Sequence, residues 1–178
     1  MDTDVMKSEA KAFGAHYDYD VSYLYDLIDL SPEAAAALNG FKEFYKYRGP
    51  AGGQAVWTGA LLASTLEGDC GPCAQLVISM AMESGGDPDQ IRACVEGRAT
   101  EAGKTGLGFR FAEMAIKGDA QADRLRAEIQ SAYGSKAAVS CAFAAASGRV
   151  YPVIKRGIGH GAPCEELGIA GETVKVHR

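Results

Sequence analysis

Apolar residues recur at helical spacing along almost the whole chain, and alternating runs of strand type are scarce. The opening stretch, to about His16, is polar and reads as frayed. Tyr17, Tyr19, Val21, Tyr23, Leu24, Leu27, Ile28 and Leu30 then form a tyrosine-rich segment that settles into a helix from Val21. Ser31-Pro32-Glu33 is a helix start: a hydroxyl cap, proline at the first helical position and an acid in the first turn. That helix is predicted to run through Leu38, Phe41, Phe44 and Tyr45 and to stop before Gly49-Pro50. From Gln54 to about Leu66 the residues are small and apolar, which predicts a helix with close neighbours. Asp69 is the predicted cap of the next helix, which carries Cys70, Cys73, Leu76, Val77, Met80 and Ala81 on one face and ends at Gly85-Gly86. Asp87-Pro88 starts a short helix through Ile91, Cys94 and Val95. Further helices are predicted at about 107–117, 119–132 and 135–156, with Pro152 kinking or ending the last. The glycine-rich tail from Gly157 reads as irregular, with one extended piece at Thr173–Val176.

These elements predict an all-α, multi-helix bundle, and 178 residues suit a single domain spanning 1–178. Hydrophobic residues at 47% and charged residues at 23% form an ordinary globular mix, which excludes a disordered chain. The net charge of −5 leaves no basic footprint, so nucleic acid is not an expected partner. In the strongly apolar C-terminal half the longest charge-free run centres on Ala137 to Ala146 and falls well short of the ~20 residues that span a bilayer, so no membrane association is expected. Asp2, Asp4, Lys7 and Glu9 interrupt any apolar leader, which makes a reducing cytoplasm the expected compartment.

In that compartment the five cysteines are not a disulfide framework, and three of them stand alone at 94, 141 and 164. Cys70-Gly71-Pro72-Cys73 is the sharp feature, running straight into an apolar helix behind Glu67-Gly68-Asp69. Residues three apart share a helix face. The unpaired N–H groups and dipole of a helix start favour a thiolate there, so at least one of the pair is expected to have a lowered pKa. A thiolate with a partner in reach can attack a peroxide or disulfide and then close an internal disulfide. The bland alternatives are core filling and half of a zinc site. Zinc needs about four ligands, and His160 and Cys164 are the other candidates. No other metal site and no cofactor is expected. The same tetrapeptide occurs in thioredoxin, but there it follows a strand, and here a helix lies upstream.

The order helix, break, CxxC, small-residue helix, glycine turn and acidic short helix, with Ala81-Met82-Glu83-Ser84-Gly85-Gly86-Asp87-Pro88-Asp89-Gln90-Ile91 after the motif, resembles the alkylhydroperoxidase D-like (AhpD-like) branch of the carboxymuconolactone decarboxylase family. The resemblance covers about 51–97, roughly a quarter of the chain. It implies an antioxidant oxidoreductase with a redox-active disulfide: Cys73 attacks the peroxide, and Cys70 resolves it and faces the partner. It also implies a small-molecule peroxide or disulfide as substrate, a thiol reductant such as a lipoyl-bearing protein, and a homo-oligomer, a trimer or a multiple of one, with a dimer next. Two relay residues of the family are replaced. Its histidine four residues after the second cysteine is Val77 here, and its glutamate twelve residues before the first is Thr58. Glu67 is then the nearby acid able to move a proton, against the plainer reading of a solvated helix-end carboxylate; His160 is the histidine to check. The expected result is ready disulfide exchange with slow peroxide reduction, unless Glu67 or a histidine has taken over. Cys94 and Cys141 read as core, the tyrosines as packing or interface residues, and Lys155-Arg156 as a helix C-cap. Two other readings remain: a non-redox helical oligomer that binds a small apolar ligand, and a lactone decarboxylase, against which the absent motif-helix histidine speaks. A cavity lined by the 54–66 helix is expected beside the motif.

Overall fold

The computed structural model describes residues 2–177. In chain order the helices are α1 (Thr3–Tyr17), α2 (Ser22–Leu30), α3 (Pro32–Gly40), α4 (Lys42–Tyr45), α5 (Gln54–Glu67), α6 (Gly71–Glu83), α7 (Pro88–Val95), α8 (Gly103–Lys117), α9 (Gln121–Tyr133), α10 (Ser135–Ser147) and α11 (Val150–Gly157). A 3-10 turn, Ala51–Gly53, precedes α5, and strands β1 (Glu166–Ile169) and β2 (Glu172–Lys175) follow α11. The protein is an all-α, multi-helix bundle with one β-hairpin.

Helix α5 is its axis. Every residue from Val56 to Thr65 is buried, the signature of a helix that is enclosed on all sides. It packs on α6, α8 and α10. The approach to α8 is backbone to backbone: a Cβ on Gly59 would overlap the Thr105 carbonyl, and one on Gly108 would overlap the Val56 carbonyl. On the α10 side, buried Ala137, Ala138, Ala144 and Ala145 keep the helices close, and Ser64 Oγ donates to the Ala145 carbonyl at 2.6 Å.

Several boundaries differ from the sequence expectation. The opening segment is a capped helix: Asp2 accepts from the Asp4 N–H at 2.9 Å, and Met6, Ala10 and Gly14 form a buried stripe. The helix begun at Ser31 breaks at Gly40 before α4. The last long helix breaks at Gly148–Arg149, and Pro152 lies in the first turn of α11, where a missing N–H is tolerated. Ser135–Gly157 is, by length and composition, long and apolar enough to cross a membrane, contrary to the estimate from its charge-free run alone. Half of the qualifying window is buried inside the fold, as in the core helix of a bundle.

The tail is also more ordered than expected. β1 and β2 pair antiparallel, Glu166 with Lys175 through Ile169 with Glu172. Ala170 and Gly171 both have positive φ, at 51° and 85°, the geometry of a type I′ hairpin turn. Leu167, Ile169 and Val174 pack into the core. The Gln75 side chain binds Gly168 as a peptide would, donating to its carbonyl at 3.0 Å and accepting from its N–H at 2.7 Å. The hairpin is thereby fixed to α6, the helix that carries the cysteine motif.

Candidate redox site

Cys70 and Cys73 are joined in a disulfide, with Cα atoms 5.2 Å apart, inside the usual range for such a bridge. The helix cap is one residue later than expected. Cys70 itself is the N-cap of α6, in extended backbone, and its sulfur accepts from the Cys73 N–H at 3.3 Å. Asp69 turns away through a positive φ of 51°. Its carboxylate accepts from the Cys164 N–H at 3.0 Å and pairs with Arg156 at 3.2 Å. Those long-range partners give a full charge better company than an N-cap would, and leave the cap to the sulfur. Arg156, read as a helix C-cap, is thus part of the motif's mounting. The Gly71 N–H also donates to the Ala162 carbonyl at 3.3 Å, which closes the tail over the motif.

The two sulfurs face different surroundings. Cys70, expected to face the partner, is 1% exposed, because the 162–164 segment covers it. Cys73 lies in the wall of a cavity of about 620 Å³. Of the 54–66 helix only Thr65 reaches that cavity; its walls come from the tyrosine-rich N-terminal helices, α6 and α11. Val77, at the family's histidine position, lines it without offering a proton.

A proton-bearing pair comes instead from two distant segments. The Tyr19 hydroxyl is 3.8 Å from Cys73 Sγ. A disulfide sulfur has no hydrogen, so Tyr19 is the donor. Tyr19 in turn accepts from Lys155 Nζ at 3.2 Å, and that ammonium sits 4.8 Å from the ring centroids of both Tyr19 and Tyr23. Lys155 is only 3% exposed, and burial pulls its pKa below the usual lysine value. Burial pushes Tyr19 up to about 12, so its hydroxyl keeps its proton at neutral pH. The result is a directed chain, Lys155 to Tyr19 to Cys73.

No match was found among protein-family models, curated proteins or solved structures.

Glu67 does not join the cysteines' chain of donors. It lies on the surface at the end of α5, paired with Arg149 at 3.1 Å. His160 bonds Asp26 at 2.8 Å and Ser22 at 3.4 Å, and His16 bonds Glu83 at 3.0 Å. Among the described residues no group of three or more His, Cys, Asp or Glu side chains is arranged to hold a metal ion. Cys94 and Cys141 are buried, and burial pushes each thiol up to about 12, which makes them inert core residues as expected. The approach of Tyr19 and Lys155 to Cys73 was not foreseen from the sequence. The available signal was faint: α11 buries only Pro152 and Lys155, so its cation points inward from the same side as its proline.

Proposed function

We propose that this chain is a CxxC-dependent thiol–disulfide oxidoreductase that also reduces organic hydroperoxides, in the manner of the AhpD-like proteins it resembles. The observation that carries this reading is Cys73, set in the wall of an apolar cavity at the end of the Lys155–Tyr19 chain. In the reduced protein the Cys73 thiolate attacks the terminal peroxide oxygen. The O–O bond breaks, the sulfur is oxidised to a sulfenic acid, and the alkoxide leaves as an alcohol with a proton relayed through Tyr19 from Lys155. Cys70, whose thiolate is favoured by the first turn of α6, then attacks the Cys73 sulfur. The S–O bond breaks, and the expelled hydroxide takes a proton to become water. This closes the disulfide.

A dithiol reductant restores the pair. Its thiolate attacks Cys73 through the cavity and expels Cys70 as a thiolate. Its second thiol then closes the reductant's own disulfide and releases Cys73. A dithiol on a flexible apolar arm, of the lipoyl kind, suits a deep apolar entrance. With Tyr19 and Lys155 in place, the chain needs neither Glu67 nor a motif-helix histidine for proton supply.

Mild oxidation of the reduced protein is expected to lower its mass by two hydrogens, with the bridge mapped to Cys70 and Cys73 in peptide digests. Cys94 and Cys141 should be alkylated only after denaturation. The same preparation should turn over an organic hydroperoxide with a small dithiol as reductant. A bridge that maps to Cys164, or wild-type protein without turnover of either peroxide or disulfide, would sink the reading.

A homo-oligomer, a trimer or a multiple of one, belongs to the same proposal. Phe44 stacks on Phe143 at 4.3 Å, and Phe44, Tyr47 and Val139 stay exposed beside that stack. One core leaves such a patch uncovered. Light scattering at micromolar concentration is expected to give a multiple of the 18.7 kDa chain mass, and a monomeric mass refutes this part.

A further inference from the structure

The cavity beside Cys73 is larger than disulfide exchange requires, and an arginine borders its mostly apolar wall. At about 620 Å³ it is the size of a small-molecule site. Its lining is mostly apolar and aromatic, including Phe13, Leu24, Ile28, Leu38, Leu76 and Met80. Four charged side chains also border it, and three of them are cations: Lys42, Lys46 and Arg48 against Glu9. Lys42 pairs with Glu9 at 3.8 Å, which leaves the excess positive.

Arg48 is the singular residue of the lining. Its guanidinium stacks on Trp57, 3.7 Å from the ring centroid, and is held in one orientation. Its Nη1 is buried and has no hydrogen-bond partner among the described residues. Burial lowers the pKa of Arg48, yet an arginine stays charged in any protein environment.

We infer that this cavity binds a single-chain amphiphilic carboxylate, a fatty acid or an oxidised derivative of one, with its carboxylate on Arg48 and its chain along the apolar wall toward Cys73. The carboxylate matches the planar fork of a guanidinium, and Arg48 borders the cavity with two further cations beside it. The apolar lining would bury the chain. The inference deepens the proposed function, on which its catalytic part rests: the substrate would be a fatty-acid hydroperoxide. The binding itself requires no redox step.

The test uses the oxidised full-length chain with dodecanoate and dodecanol as probes, read by calorimetry and by emission of Trp57, the one tryptophan of the sequence. Dodecanoate is expected to bind and to change Trp57 emission, and to bind more tightly than dodecanol. Arg48→Gln should weaken dodecanoate roughly ten- to hundredfold, the range of a charged hydrogen bond, and leave dodecanol unchanged. Arg48→Lys should recover part of the loss. Absence of dodecanoate binding to wild type overturns the inference. So does equal binding of acid and alcohol, a comparison that needs no variant and stands even if Arg48→Gln fails to fold. A chain that binds dodecanoate in this way but reduces no peroxide keeps this inference and overturns the oxidoreductase reading. One that reduces small hydroperoxides but binds no dodecanoate does the reverse.

Discussion

Replacing Lys155 by methionine is expected to lower hydroperoxide turnover by about 10²-fold or more, the scale of a positioned proton donor. Met keeps the length of the stem and its packing, and removes the charge. Without the ammonium, Tyr19 loses the donor that replaces the proton it passes on. Tyr19→Phe should show the same loss to a smaller degree, because Lys155 remains close by. Disulfide exchange with a small thiol should suffer less in both variants, since its leaving group is Cys70 at the start of α6. The pH profile separates a proton role from a packing role. Burial lowers the pKa of Lys155, so wild-type turnover should fall with rising pH below the usual lysine range, and that limb should vanish in Lys155→Met. Stability should move the other way. A lysine whose pKa is lowered in the folded state holds its proton less tightly there than when unfolded, and the cost of burying the charged form weakens the fold below the usual lysine range. Lys155→Met is accordingly expected to raise Tm while it slows catalysis. Equal turnover in wild type and Lys155→Met would remove the relay from the mechanism.

Gly59→Ala is expected to destabilise the protein by at least about 2 kcal/mol, in the range of core overpacking. The helix-propensity scale favours the change by about 1 kcal/mol, so the sign is decided by the α5–α8 contact. The added Cβ would meet the Thr105 carbonyl and the Phe109 nitrogen, which are backbone atoms and cannot rotate aside. For a chain of 178 residues the loss corresponds to a fall in Tm of roughly 4–8 °C. Gly108→Ala should behave likewise against Val56. Gly40→Ala is the control, because nothing lies within 4 Å of a Cβ there, and it should leave Tm unchanged or raise it slightly. Thermal melts of the three variants decide the matter, and an unchanged Tm for Gly59→Ala would mean that α5 and α8 are further apart than described.

The parts of this molecule that were legible in its sequence are those fixed by near neighbours. Ser31 caps α3 by accepting from the Ala34 N–H at 3.3 Å, and Asp87 caps α7 by accepting from Asp89 and Gln90. Such contacts span two or three residues and appear as spacing. The cysteine pair was visible for the same reason. The Asp69 cap failed because the carboxylate finds partners 87 and 95 residues away, and no local pattern reports that competition. Helix α1 was hidden because two of its three buried positions are Ala10 and Gly14, which add little to a hydrophobic pattern. The Tyr19–Lys155 bond joins residues 136 apart. A buried lysine two residues before a helix end looks the same in sequence as a capping one, and only the direction of α11 distinguishes them.

The mounting of the cysteine motif also sets an order in time. Asp69, Gly71 and Gln75 are held by residues of the 156–168 segment, 87 to 95 positions later in the chain. A ribosome adds roughly 5–20 residues per second, so the motif emerges several seconds before its clasp. In that interval Cys70 lacks the 162–164 segment that covers it in the complete fold. The clasp over the cysteine motif therefore arrives with the last helix and the hairpin, and a nascent or clipped chain that lacks them carries the two cysteines without it.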